Sequence, residues 1–252
     1  MERLNLRKPK PYDYTEEAGS IDPRKRFYCV SEGPTEESYL LGIRNNRGTL
    51  QIKNDVLIEV IHKEEGQETL SHPLQLMNAC LYNMGRIDEM GKELPKEEWK
   101  DNCKWEEYDP KLDVVCIVFD RDYRDLDKHL EDIYEKCIEH SIRIVISNPN
   151  FELWLLMHFK NIRQYDKDML LKNKKNLRYQ LFKEASKNKK YLEILVSKQA
   201  KGYSKGSRLH FERFKLRVDL AIEQSELFEE NYERLKTELG TAMGQLLKEM
   251  RL

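Results

Sequence analysis

Four short stretches of the chain are almost wholly apolar, and helically spaced apolar residues separate them. "RFYCVSEG" (26–33), "DVLIEVIH" (55–62), "LDVVCIVFD" (112–120) and "IRIVISNPN" (142–150) read as strands. Each is too short for a core helix and is bounded by turn residues. "PTEESYLLGIRNN" (34–46) predicts a helix. Pro34 suits its first turn, and Glu36 and Glu37 suit the positive end of its dipole. "HPLQLMNACLYNMGRI" (72–87) is a second helix. "LDKHLEDIYEKCIEHS" (126–141) carries a stripe at Leu126, Leu130, Ile133, Tyr134 and Cys137 and is a third. "FELWLLMHF" (151–159) is a fourth. Strict alternation of strand and helix predicts an α/β fold, a mostly parallel sheet with helices on both faces.

The flanking regions differ. Residues 1–24 are charged, with Pro9, Pro11 and Pro23, and read as a partly extended arm. Residues 88–110 are polar and poorly periodic, a loop or insertion. Beyond residue 160 the pattern holds no convincing strand. "MLLKNKKNLRYQLFKEASKNKK" is Lys-rich, and "RLHFERFKLRVDLAIEQSELFEENYERLKTELG" is helical. The expected division is an arm (1–24), an α/β domain (25–160) and a helical C-terminal region packed on it (161–252).

Composition narrows the field. The 252 residues are 35% charged, yet 44 Lys and Arg nearly balance 45 Asp and Glu, for a net charge of -1. That argues against a protein that coats DNA by bulk charge, and leaves room for local basic patches. The five cysteines form no C-x-x-C pair, which disfavours a zinc knuckle, and Cys29 and Cys116 sit within apolar runs. A reducing, cytoplasmic compartment fits that usage. There is no apolar stretch near 20 residues and no signal-peptide core, so no membrane association is expected.

Chemistry gathers where strands end. In open α/β sheets ligands bind beyond the carboxyl ends of the strands. The first strand ends at Ser31-Glu32-Gly33, the third at Asp120-Arg121-Asp122, and the fourth at Ser147-Asn148-Pro149 with Glu152 in the following helix. Asp120 and Asp122 project to one side of an extended chain. Clustered carboxylates repel unless protons or a cation sit among them, and Mg²⁺ takes such oxygens. Two readings stand for each acid: a metal ligand, or a helix cap or start of a solvated loop. Asn150 is placed to cap the fourth helix. Asp125 and Asp127 belong to the helix start and not to the site. Trp154, Leu155 and Phe159 read as core. His158 reads as a hydrogen-bonded structural residue, with a functional role held open. "KQAKGYSKGSRLHFERF" (198–214) offers cations between glycines, a phosphate-binding loop or a plain surface turn.

"FYCVSEGPTEESYL", "VVCIVFDRD" and "ISNPNFELWLLMHF", in that order, resemble the Toprim domain, the metal-binding fold of topoisomerases, primases and OLD-type nucleases. The last string, with the late "GYSKG", is most similar to the RloB-like family, found beside bacterial restriction and abortive-infection genes. The resemblance spans about residues 27 to 225. It implies a Toprim-like sheet and a metal-dependent nuclease that hydrolyses DNA or RNA, tRNA included, as an anti-phage effector. It implies Mg²⁺ or Mn²⁺ on Glu32, Asp120 and Asp122, with Glu36 and Glu152 near a second ion. Lys205 would stabilise the transition state, and Ser147, Asn148, Lys201 and Lys205 would contact the phosphate. An ABC- or AAA-type ATPase partner is implied too, and the C-terminal helices are compatible with a homodimer. The alternative is a non-catalytic module that binds nucleic acid or an ATPase. Topoisomerase and primase chemistry fit less well, for want of extra domains and of zinc-binding cysteines.

Overall fold

A computed structural model describes residues 3–7, 25–67, 70–122, 125–159, 161–175, 189–201, 203, 205 and 209–252. Most of the arm, the centre of the Lys-rich segment and Gly202, Ser204 and Gly206 of "GYSKG" lie outside them. In chain order the strands are β1 (Leu6–Arg7), β2 (Lys25–Ser31), β3 (Val56–Lys63), β4 (Val114–Asp120), β5 (Ile142–Asn148) and β6 (Gly240–Thr241). The helices are α1 (Pro34–Asn45), α2 (Pro73–Asn83), α3 (Trp99–Asn102), α4 (Leu130–Glu139), α5 (Glu152–Met157), α6 (Lys167–Lys172), α7 (Tyr191–Gln199), α8 (Val218–Ser225) and α9 (Met243–Arg251).

The strand order across the sheet is β1-β3-β2-β4-β5-β6. The four inner strands are parallel, and the two-residue edge strands are antiparallel. The mixed α/β sheet is thus mostly parallel, as the alternating pattern predicts. β2 and β4 are buried over nearly their whole length, whereas β3 alternates. That is the difference between strands covered on both faces and one nearer an edge. From β2 the chain steps outward to β3, then crosses back to β4 on the other side. The carboxyl ends of β2 and β4 therefore flank the topological switch point, where open sheets leave a crevice. α1 packs on β2 and β3, α2 on β2 and β4, and α4 on β5. α2 and α4 pack together, and α1 packs on the turn at Phe211–Arg213. That second contact is close because α1 carries Gly42: a Cβ there would stand 2.1 Å from the Phe211 ring.

Three expectations need correction. The region beyond residue 160 contributes a strand, since β6 pairs with β5 at Ser147↔Thr241 and Asn148↔Gly240. Two residues leave no apolar run to read. The long helical segment at 208–240 is α8 plus short 3₁₀ turns among the described residues. The 88–110 segment is partly ordered into a 3₁₀ turn and α3, with an antiparallel bridge between Ile87 and Glu93. One hydrophobic cluster runs from Leu4 to Met250, so the C-terminal helices share the core of the sheet. Among the described residues, no helix is long and apolar enough to cross a membrane.

Candidate metal centre

The end of β2 sets the first acid. Ser31 pairs in register with Val118, and the Glu32 amide donates to the Val118 carbonyl at 2.9 Å. That carries Glu32 to the tip of β4, where its Oε2 accepts the Asp120 amide at 2.9 Å. Gly33 follows for a steric reason. A Cβ at Gly33 would lie 2.7 Å from Glu36 Oε2, so the glycine leaves room for the first-turn carboxylate of α1 where it stands. Lys63, at the end of β3, donates to the Glu32 carbonyl at 2.5 Å.

Asp120 ends β4 opposite Ser147 of β5 and is 4% exposed. Its Oδ1 accepts the Phe151 amide at 2.7 Å, and its Oδ2 faces Lys205 Nζ at 3.4 Å. Phe151 precedes α5, so Asp120 satisfies a first-turn amide of the helix that bears Glu152. Glu152 is 1% exposed. Its Oε1 accepts the Tyr203 hydroxyl at 2.8 Å, and its Oε2 meets the same Lys205 at 3.3 Å. Lys205 thus stands between two buried carboxylates from different strand ends. Glu36 is also buried.

The electrostatics follow from this burial. Desolvation pushes the Glu32 carboxyl up to about 8, against the pull of the Asp120 amide and with a further push from Glu36. Glu36 rises to about 6, first through burial and then through Glu152, against its own backbone amide and the charges of Lys205 and Lys63. Burial holds Asp120 well above the ordinary range, with Lys205 opposing and Glu32 and Glu36 adding to the rise. Burial alone would lower Lys205, yet Asp120, Glu152 and Glu36 outweigh it and hold the ammonium protonated. The cluster is short of positive charge.

The other expected residues are placed differently. Asp122 is tied by its amide to the Pro149 carbonyl at 3.0 Å, and its carboxylate pairs with Lys190. It does not join Asp120 on Lys205. Ser147 Oγ is hydrogen-bonded to Thr241 Oγ1 at 2.8 Å, and Asn148 donates to the Leu235 carbonyl at 2.9 Å. Both are buried and engaged with the C-terminal segment, so neither side chain is presented to a phosphate in this arrangement. Lys201 is exposed just past α7. Asn150 does not cap α5. Phe151 is the cap residue, without a side-chain bond, and both amide atoms of the fully buried Asn150 lack a hydrogen-bond partner. Asp127 pairs with Arg121 at 2.5 Å, outside the site. His158 is fully buried. Its Nδ1 donates to the Trp154 carbonyl at 3.0 Å, so its Nε2 accepts the Tyr39 hydroxyl at 2.9 Å. Burial lowers it to about 3, which makes it a neutral structural residue.

Tyr203, Lys190 and Lys63 were not singled out from the sequence. Tyr203 could have been, since it lies inside "GYSKG". The two lysines carry no local signal that separates them from their neighbours.

All-oxygen donors with too little compensating charge suit a hard divalent ion. Among the described residues, no three of these acids bring one oxygen each within 4.8 Å of one another. Lys205 is itself the cation between Asp120 and Glu152.

The sequence pattern described as "RloB-like protein" matches residues 27–250. No curated protein and no solved structure matches the chain. The match runs from the first core strand through the acids of the crevice to the last helix, and the chain belongs to the RloB-like family.

Proposed function

We propose that the protein is a metal-dependent nuclease that hydrolyses phosphodiester bonds in DNA or RNA, acting as an effector of anti-phage abortive infection beside an ATPase partner. The observation that carries the reading is the buried Glu36, Asp120 and Glu152, with half-buried Glu32 on the Asp120 amide and Lys205 between Asp120 and Glu152, at the switch point of a parallel sheet. Resemblance to Toprim nucleases supports the reaction class, and family membership supports the setting.

Asp120, Glu32 and Glu36 would hold Mg²⁺ or Mn²⁺, with Glu152 and Asp122 beside them. The ion supplies charge against the scissile phosphate and lowers the pKa of water. Glu32 carries a proton near neutral pH while the site lacks further positive charge. Because its Oε2 accepts the Asp120 amide, that proton sits on Oε1, the oxygen that would be left to hold a cation. Lys205, released from the carboxylates, turns its ammonium to the charge that develops on the phosphate. Tyr203 fixes the rotamer of Glu152. Lys201 adds non-specific attraction for a polyanion.

Purified full-length protein incubated with DNAs and RNAs, tRNA included, in Mg²⁺ or Mn²⁺ tests this. Asp120→Ala and Glu32→Gln should abolish cleavage and keep the fold. Equal cutting by wild type and both variants would refute the site. One observation favours a second reading, a non-catalytic module that binds nucleic acid or an ATPase. Lys205 and Lys190 already engage Asp120, Glu152 and Asp122. No cleavage by any form, even with the ATPase added, would select that reading.

A further inference from the structure

Away from the crevice, the 86–110 segment meets the end of α4 at three side chains. Glu93 lies in the bridge with Ile87, Glu139 is the last residue of α4, and His140 is its C-terminal cap. One carboxylate oxygen from each glutamate and one ring nitrogen of His140 lie within 4.8 Å of one another. Two exposed glutamates side by side would mean little alone. His140 adds an independent observation: its side chain is 4% exposed, and neither ring nitrogen has a hydrogen-bond partner. Buried polar atoms are nearly always paired. Its Nε2 stands 4.0 Å from Glu139 Oε2, so the unpaired nitrogen faces the acids.

The surroundings hold the imidazole ready to ligate. Trp99 packs edge-on to the His140 ring at 5.8 Å, and the Arg86 guanidinium covers Trp99 at 3.8 Å. Burial keeps the imidazole below its ordinary pKa, which leaves a lone pair free at neutral pH. Lys136 donates to Glu93 Oε1 at 2.7 Å and holds that carboxylate beside the end of α4.

We propose that Glu93, Glu139 and His140 form a second metal site, for a divalent transition ion of the Zn²⁺ class, that staples the 86–110 segment to the end of α4. One imidazole with two carboxylates is a donor set for Zn²⁺ rather than for Mg²⁺, which prefers oxygen and retains its waters. Two carboxylates balance the charge of the ion, and water completes a tetrahedral shell. Bonds of about 2.0–2.2 Å require the three ligand atoms to draw closer than they stand. The glutamates can do so by side-chain rotation, being 57% and 62% exposed. The site shares no residue with the acidic crevice, and its existence does not depend on nuclease activity.

Chelator-stripped full-length protein is titrated with Zn²⁺ by calorimetry, with the thermal midpoint as a second readout. Glu93→Gln and Glu139→Gln change exposed side chains and should leave the metal-free midpoint in place. The proposal expects one equivalent of Zn²⁺ that raises the midpoint. Each Gln variant should weaken it about tenfold or more, and Asp120→Asn should leave it unchanged. Three results would overturn it: no uptake by wild type, wild-type affinity in both Gln variants, or loss of the same equivalent in Asp120→Asn.

Discussion

The two ends of "FELWLLMHF" bury polar groups in opposite ways. At its start Glu152 is 1% exposed and shares Lys205 with Asp120, in a cluster where burial has raised Glu32, Glu36 and Asp120. At its end His158 is fully buried, neutral, and bonded at both nitrogens, within an aromatic shell of Tyr39, Trp154 and Phe214. The second cluster is fully paired, and the first gathers several carboxyls around one lysine, with burial holding their protons on. Polar burial marks a candidate site only where the pairing is left unfinished.

The largest expected effect separates the two ends. Asp120→Asn should lower nuclease turnover by about 1,000-fold or more, on the order of 4 kcal/mol of transition-state stabilisation. The thermal midpoint of the metal-free protein should not fall, because Asn can still accept the Phe151 amide and a buried repulsion is gone. A large fall in the midpoint would make Asp120 a structural cap instead. His158→Ala should do the reverse. It removes a packed ring and strands the Tyr39 hydroxyl, costing about 3 kcal/mol in a denaturant titration. Metal affinity at the crevice should stay as in wild type.

The next effect is a pH dependence. His158 titrates near 3 in the folded protein, below its ordinary value of 6.5, because burial disfavours the charged ring. The unfolded chain therefore binds this proton first. The contribution is complete above pH 6.5 and lost as pH falls toward 3, about 2 kcal/mol of it by pH 5. Unfolding titrations of wild type and His158→Leu over that range should show the slope flattened in the variant. The smallest effect is expected of Tyr203→Phe, which frees Glu152 to rotate and should cost about tenfold in turnover with little change in midpoint.

The parallel core was legible because β2, β4 and β5 are buried on both faces and so leave continuous apolar runs. The acids were legible because β2 and β4 end at the switch point, which places Glu32 beside Asp120. Period-two spacing overstated the unity of Asp120 and Asp122. The chain leaves the strand after Asp120, and the amide of Asp122 turns to Pro149. Ser147 and Asn148 are engaged by Thr241 and Leu235, which lie about ninety residues away. No local pattern announces such a pairing. His158 was open in the sequence because the string that holds it also holds Glu152. Only the positions of Tyr39 and of the Trp154 carbonyl decide it.

The clasp between β5 and β6 bears on the order of biosynthesis. Ser147 and Asn148 are secured by Thr241 and Leu235, Lys25 at the start of β2 pairs with Glu249 in α9, and α9 rests on β5. The strands that carry the acids are made first, and the pieces that fasten them come from residues 235–249, about ninety or more positions later than the acids. A ribosome-bound chain stopped before residue 235 lacks those fastenings, so the crevice reaches its finished form only after residues 235–249 have followed the acids.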